Sequence, residues 1–281
     1  MISSKKYVDE TLKANNLIAN KALGQNFLVE GEIAKEIVLS ANITNQTCVI
    51  EIGPGLGALT EFALEKAKVV KCFEIDSNMV KILSETFKEK ENFEITNIDF
   101  LKVDLEELIK NLSPQYKDIV LLSNLPYYIT SKLLNKALTK DLNIRCFVAM
   151  MQKEVGQKIV RPEKKDYNVL SVILDYQYDV SVVKYVGKNA YLPRPEIDSI
   201  VLKFEKIAPR YEVKQQTLLN VATALFLQRR KTVFNNLKSI LKDVKELEQC
   251  LINCKIEKNT HIEQLSIENI VDISKYIEQT K

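Results

Sequence analysis

The chain has no tryptophan, one histidine, five cysteines and seven glycines in 281 residues. Each shortage excludes something. With His261 as the sole imidazole, a Ser-His-Asp or Cys-His mechanism would have to run through a polar C-terminal stretch, so histidine chemistry is set aside. Cys48, Cys72 and Cys146 fall in apolar segments, where cysteine behaves as a small hydrophobe. Cys250 and Cys254 lie one helical turn apart without a matching Cys or His cluster, and no metal site is expected. No apolar run approaches the roughly 20 residues of a membrane span, so no membrane partner is expected. Residues 1–7 are polar and lack the apolar region of a signal peptide, which leads to the expectation of a cytoplasmic protein. Arginine is scarce as well: Arg145, Arg161, Arg194, Arg210, Arg229 and Arg230 are all there is. The net charge of +3 is therefore carried by lysine, and its placement matters more than its sum.

What is present suits a folded enzyme-sized chain. A hydrophobic content of 46% is ordinary for a protein with a real core. The length suits one large domain, or one plus a small one. From residue 47 a regular alternation begins. Strands are expected at 47–52, 69–75, 93–98, 118–122 and 144–151, and helices at 59–66, 79–88, 105–112, 132–138 and 154–160. Strands alternating with helical patterns predict a mostly parallel sheet with helices on both faces. Two later β-rich stretches, 181–186 and 199–204, are placed as an antiparallel edge. Near Ile207-Ala208-Pro209-Arg210 the pattern changes, and every later segment reads as helix. The expected domains are 1–207, an α/β domain, and 208–281, a small all-α domain.

Two stretches carry chemistry. In the first, the apolar run 118–122 leads into Ser123-Asn124-Leu125-Pro126-Tyr127-Tyr128. Pro126 cannot join a ladder and disfavours helix at Leu125, so the chain leaves the strand extended. Open α/β sheets bind ligands just past the carboxyl ends of their strands. An amide, free carbonyls and a flat aromatic there suit a planar base bearing an amino group; the plainer alternative is a strand-to-helix turn with a half-buried tyrosine. In the second, Glu51-Ile52-Gly53-Pro54-Gly55-Leu56-Gly57 follows the first strand of the alternation. Its GxGxG spacing, with no Gly-Lys-Ser/Thr after it, excludes a P-loop and disfavours a dinucleotide fold. About twenty residues on comes Phe73-Glu74-Ile75-Asp76, where an acid would accept from both ribose hydroxyls of a nucleoside. Asp99, after the third strand, is placed to accept from an adenine amino group. The alternative is that Glu74 or Asp76 caps the following helix.

With these residues the chain resembles the class I S-adenosylmethionine-dependent methyltransferases, and more narrowly the ribosomal RNA adenine dimethyltransferases. The resemblance runs through nearly the whole chain: Gly24-Gln25-Asn26-Phe27-Leu28, residues 51–57, Glu74-Ile75-Asp76, Asp99, Asn124-Leu125-Pro126-Tyr127, Leu192-Pro193-Arg194-Pro195-Glu196-Ile197-Asp198-Ser199 and Gln228-Arg229-Arg230-Lys231. Leu125, where the macrolide-resistance branch usually has Ile, and the Gln-Arg-Arg-Lys piece favour the branch that modifies small-subunit 16S ribosomal RNA. Tyr191 stands where the family usually has Phe and keeps a stacking face.

The resemblance implies a Rossmann-like class I methyltransferase fold and S-adenosylmethionine as cofactor, bordered by Asn26 and Leu28. Gly53 and Gly55 would approach it by backbone. Glu74 would hold the ribose with Ile75 beside it, Asp99 would take the adenine amino group, and Asn124 would lie by the methionine end. The catalytic set is Asn124, Leu125, Pro126 and Tyr127, with Tyr127 and Tyr191 stacking on the target base. Two basic groups, Lys153, Lys158, Arg161, Lys164 and Lys165, and then Arg229, Arg230 and Lys231, are expected to meet RNA phosphates. The partner is ribosomal RNA in the small subunit, met by a monomer. The competing readings are a large-subunit methyltransferase conferring antibiotic resistance, a non-catalytic assembly or transcription factor on the same fold, and a small-molecule methyltransferase.

Overall fold

The computed structural model describes residues 1–280. In chain order the elements are α1 (Lys5–Ala14), β1 (Phe27–Leu28), α2 (Gly31–Ser40), β2 (Thr47–Ile52), α3 (Thr60–Leu64), β3 (Val69–Glu74), α4 (Ser77–Thr86), β4 (Phe93–Asn97), α5 (Leu105–Leu112), β5 (Asp118–Asn124), α6 (Thr130–Leu138), β6 (Cys146–Gln152), α7 (Lys153–Val160), α8 (Val169–Gln177), β7 (Tyr178–Val186), β8 (Tyr191–Leu192), β9 (Ser199–Lys206), α9 (Gln215–Phe226), α10 (Val233–Leu237), α11 (Val244–Asn253) and α12 (Ile267–Thr280).

The chain forms two compact units. The first comprises residues 1–137, 142–160 and 180–206, and the second 138–141, 161–179 and 207–281. The helical unit thus begins near the expected boundary but also draws in residues 161–179, which the sequence reading kept with the first domain. Those residues contain α8, an element the sequence reading did not assign. Its stretch Val169-Leu170-Ser171-Val172-Ile173-Leu174 is apolar and rich in β-branched residues, a pattern periodicity alone does not resolve. The Asn168 side chain accepts from Leu170 N and Ser171 N, while Ser171 Oγ accepts from Asn168 N, and this reciprocal cap starts the helix.

In the first unit the seven-stranded sheet has the order β4-β3-β2-β5-β6-β9-β7. Pairing is parallel from β4 through β6, and β9 runs antiparallel to β6. β2, β5 and β6 are buried almost throughout, which requires cover on both faces of the sheet. From β2 the chain moves outward to β3 and β4, then returns to β5 on the other side. Ligands in such sheets bind at this reversal. A separate two-stranded ladder joins β1 to β8, with Leu28 opposite Tyr191. The strands hold Cys48, Cys72 and Cys146 as buried free thiols, and burial raises the Cys48 and Cys146 pKa values to about 12 and about 11. No helix among the described residues is long and apolar enough to cross a membrane.

At the other end of the strands a polar cluster ties three of them together. Arg145 Nε donates to Asp118 Oδ1 (2.6 Å), Arg145 also donates to Ala41 O (2.9 Å), and Thr47 Oγ1 donates to Asp118 Oδ2 (2.5 Å). Burial alone would raise the Asp118 pKa, but the bonds from Arg145 and Thr47 and the Arg145 charge outweigh it and hold the carboxyl below its usual value. Arg145→Leu leaves Asp118 half-buried with one partner. It is expected to lower stability by roughly 1–3 kcal/mol in urea unfolding; an unchanged midpoint would show that the cluster contributes nothing.

Candidate functional site

The carboxyl edge of the sheet is built from strands that end together. Ile52 pairs with Phe73 on one side and Ser123 on the other. Gly53 N donates to Phe73 O (2.9 Å) and Ser123 Oγ to Ile52 O (2.7 Å), which fixes the glycine turn between its neighbours. Gly53, Gly55 and Gly57 have φ of +65°, +59° and +90°. A Cβ on Gly57 would lie 2.9 Å from Leu83 Cδ2, so packing as well as backbone conformation demands glycine there. A Cβ on Gly53 would meet nothing within 4 Å, since this glycine faces open space.

That space is a cavity of about 200 Å³. Asn26, Leu28, Gly53, Gly55, Glu74, Ile75, Asp99, Asn124, Leu125, Pro126 and Tyr127, drawn from five segments of the chain, all line it. Glu74 is 6% exposed, with Oε2 accepting from Gly55 N (3.1 Å) and Oε1 from Asp76 N (2.9 Å). Burial raises its pKa, and these main-chain bonds oppose the rise. It does not cap α4. Asp76 does, accepting from Asn78 N (2.9 Å) and also from Gln25 Nε2 (2.7 Å). Asp99 uses Oδ1 to accept from Leu101 N (2.9 Å), with Ile98 and Phe100 beside it in the cavity wall.

β5 runs two residues further than the expected 118–122, because Asn124 still pairs with Met150 of β6, and Leu125 N donates to Met150 O (2.9 Å). The Asn124 side chain donates through Nδ2 to Asn26 O (3.3 Å), which leaves Oδ1 as an acceptor at the cavity. Beyond it, Tyr127 is half-buried and its hydroxyl bonds Ser199 Oγ (2.9 Å). Burial raises the Tyr127 pKa, so it stays a neutral phenol near pH 7.

Tyr191 requires a correction. It is 3% exposed, its hydroxyl donates to Met150 Sδ (2.9 Å), and it does not line the cavity. Its backbone pairs with Leu28 and its ring is part of the core, with its hydroxyl beside those of Tyr127 and Ser199. Sequence reasoning also gave no role to Ser199 or Gln25. Both sit inside quoted motifs, but what each touches depends on partners 72 and 51 residues away.

The basic residues are regrouped. Lys153 and Lys158 lie on α7 in the first unit, whereas Arg161, Lys164 and Lys165 belong to the helical unit together with Arg229, Arg230 and Lys231. Within that unit Arg229 donates to Lys164 O (3.4 Å) and lies 5.6 Å from the Phe226 ring centroid, so part of its function is structural. Arg161, Lys164, Lys165, Arg230 and Lys231 are exposed, although Lys165 pairs with Glu163 (2.8 Å).

The family described as Ribosomal RNA adenine dimethylase matches this chain over residues 16–279. A Clostridium botulinum (strain Langeland) protein named ribosomal RNA small subunit methyltransferase A is 39% identical over 258 residues, which is 91% of this chain and 92% of that protein. One of the same name from Bacillus mycoides is 39% identical over 261 residues, covering 90% and 89% of the two chains. Among solved structures, a dimethyladenosine transferase from Plasmodium falciparum aligns with a TM-score of 0.73 at 22% identity, over 90% of this chain and 97% of that one. The 23S rRNA methyltransferase ErmE aligns with a TM-score of 0.64 at 21% identity, over 90% and 100%. At those identities the two structures speak to the fold alone.

Beneath the glycine turn lies a second acid. Glu51 is 1% exposed and accepts from Thr60 Oγ1 (2.7 Å). Burial raises its pKa from 4.5 to about 7, against the opposing Thr60 bond. A carboxyl whose folded-state pKa exceeds its unfolded one binds its proton more tightly when folded. Its contribution to stability is complete below 4.5 and is lost as pH rises through about 7. Glu51→Gln, always neutral, is expected to lose this dependence. Thermal unfolding from about pH 5 to about pH 8 should favour the variant progressively, by about 3 kcal/mol at the alkaline end. Parallel pH profiles for the two proteins would rule out the assignment.

Proposed function

The chain belongs to the ribosomal RNA adenine dimethylase family, and from that premise we propose that it transfers methyl groups from S-adenosylmethionine to N6 of adenines in small-subunit (16S) ribosomal RNA. The product is N6,N6-dimethyladenosine, formed during ribosome maturation in the cytoplasm by a monomer. Similarity to proteins named for the small subunit supports this branch. The likeness to a 23S enzyme concerns the fold and does not favour the resistance reading.

The cavity's own groups fit the cofactor. Glu74 keeps a lone pair on each carboxylate oxygen for ribose hydroxyls after its two main-chain bonds. Asp99 keeps Oδ2 for an adenine amino group, because only Oδ1 is engaged with Leu101 N. The exposed Ile75 side chain offers apolar cover at the cavity edge, and Gly53 leaves room for close backbone approach. When bound, the sulfonium supplies an electrophilic methyl group.

The observation that carries the proposal is the orientation of the Asn124 amide. With Nδ2 given to Asn26 O, Oδ1 faces the cavity as an acceptor. The lone pair of an adenine N6 is delocalised into the ring, so the amine is a poor nucleophile. Hydrogen bonds from it to Asn124 Oδ1 and the Leu125 carbonyl draw the nitrogen toward tetrahedral geometry and localise that lone pair. No base is needed to remove a proton first. Pro126 holds the backbone extended at this point, and Tyr127 stacks on the base, its ring fixed through Ser199. A base read this way must first leave its helix or loop. Orientation and fixed dipoles account for the catalysis.

The test is transfer from labelled S-adenosylmethionine to unmethylated small and large ribosomal subunits, with nucleoside mass spectrometry of the product. Dimethyladenosine in the small subunit is expected, with kcat reduced about 10²–10³-fold in Asn124→Ala. Near-full transfer by that variant at saturating substrate would overturn the role of Asn124. Label in the large subunit would move the chain to the resistance branch, and no label in either would favour the assembly-factor reading.

A further inference from the structure

One aromatic side chain at the same sheet edge plays no part in the site described above. Tyr185, the next-to-last residue of β7, is 56% exposed, and the Lys153 ammonium lies 5.8 Å from its ring centroid. A large ring left open to water beside a lysine is the arrangement that binds the flat face of a base with its phosphate nearby.

Its position relative to Asn124 follows from the pairing. Asn124 is opposite Met150 on β6, and Lys153 is three residues further along the same chain, about 10 Å at the rise of an extended strand. Gln152 is opposite Ser199, whose hydroxyl bonds the Tyr127 phenol. The next residue back, Asp198, receives Lys153 N at its carbonyl (3.0 Å) and Lys188 N at Oδ1 (3.1 Å). A short run of bonds therefore leads from Tyr127 through Ser199 and Asp198 to Lys153, Lys188 and the end of β7. The Asp198 carboxylate serves the loop backbone. Glu154 and Glu196 are the exposed acids on the neighbouring residues. Lys188 Nζ donates to the Glu196 carbonyl (3.5 Å) and, among the described residues, meets no carboxylate.

We propose that Tyr185, with Lys153 beside its ring and Lys188 three residues further along the chain, is a second stacking site that holds an unpaired nucleotide of the RNA beside the base presented to Asn124. The inference rests on the RNA-methylating function proposed above. A base drawn out for chemistry leaves its neighbours unstacked. A ring about one strand-end away gives a neighbour a new stacking partner and fixes the strand on two planes rather than one. Tyr185 is a positioning residue, since it touches neither the cofactor nor the reacting nitrogen.

The experiment measures steady-state methyl transfer to unmethylated small subunits for wild type, Tyr185→Ala and Tyr185→Phe. Tyr185→Ala is expected to raise KM for the subunit about tenfold, with kcat little changed and KM for S-adenosylmethionine unaltered. Tyr185→Phe keeps the ring face and should behave as wild type. Wild-type KM in the alanine variant would overturn the proposal, and so would equal damage in the phenylalanine variant, which would assign the effect to the hydroxyl. A wild-type protein that transfers no methyl group would instead overturn the proposed function, and this inference with it.

Discussion

The in-register parallel pairing of β2 with both β3 and β5 is the constraint on which the site depends. It brings three strand ends to one line, with Ile52 between Phe73 and Ser123. The glycine turn, Glu74 and Asn124 all start from that line. Side chains alternate along a strand with a period of two, so a slip of one residue in β5 would turn Asn124 from the cavity and bring Ser123 or Leu125 into its place. Alternation does not hold the register here, because Val120, Leu121 and Leu122 are all buried; the bonds at the strand ends do, from Ser123 Oγ to Ile52 O and from Gly53 N to Phe73 O. The Arg145, Asp118 and Thr47 cluster fastens β2 and β5 at their other end.

Two acids on neighbouring strands divide the electrostatic tasks. Glu74 sits at the edge, where two main-chain N–H groups support a negative charge. Glu51 lies deeper, has only Thr60 and the weak Cys72 thiol as donors, and ionises only near pH 7. The Glu74 charge is a minor cause of the Glu51 shift, after burial, and acts in the same direction. Glu51 forms no part of the cavity lining.

Much of the sheet was legible in the sequence because its signals are local. Apolar runs gave the strands, and glycine spacing with the acids after the next two strands pointed to one edge. The residues expected around the cofactor line one cavity together with Leu125, Pro126 and Tyr127, whereas Tyr191 does not. What escaped the sequence depends on long-range contacts. Tyr191 reads as a free aromatic within a motif, but pairing of β8 with β1 turns it into the core. Arg161, Lys164 and Lys165 read as one run with Lys153, yet the chain passes into the helical unit at residue 161 and Arg229 meets Lys164 there. Helix α8 was unassigned because an apolar, β-branched run fits strand and buried helix alike, and the Asn168 cap decides between them.

The shortage of histidine has a structural counterpart. His261 lies in the helical unit, at the start of a single 3-10 turn. The side chain beside Asn124 that could lose a proton is Tyr127, and its pKa is raised. What remains is an amide, a backbone carbonyl and a ring, all held by rigid neighbours. Asn124 is the last residue of a strand paired on its β6 side, its amide is oriented by Asn26 O, and the Tyr127 phenol is anchored to the first residue of β9. Groups that neither gain nor lose protons act only through where they point, so their positions must be set before the substrate arrives. The parallel register and the Tyr127–Ser199 bond supply that placement, and they tie residues 124–127 to a residue more than seventy positions later.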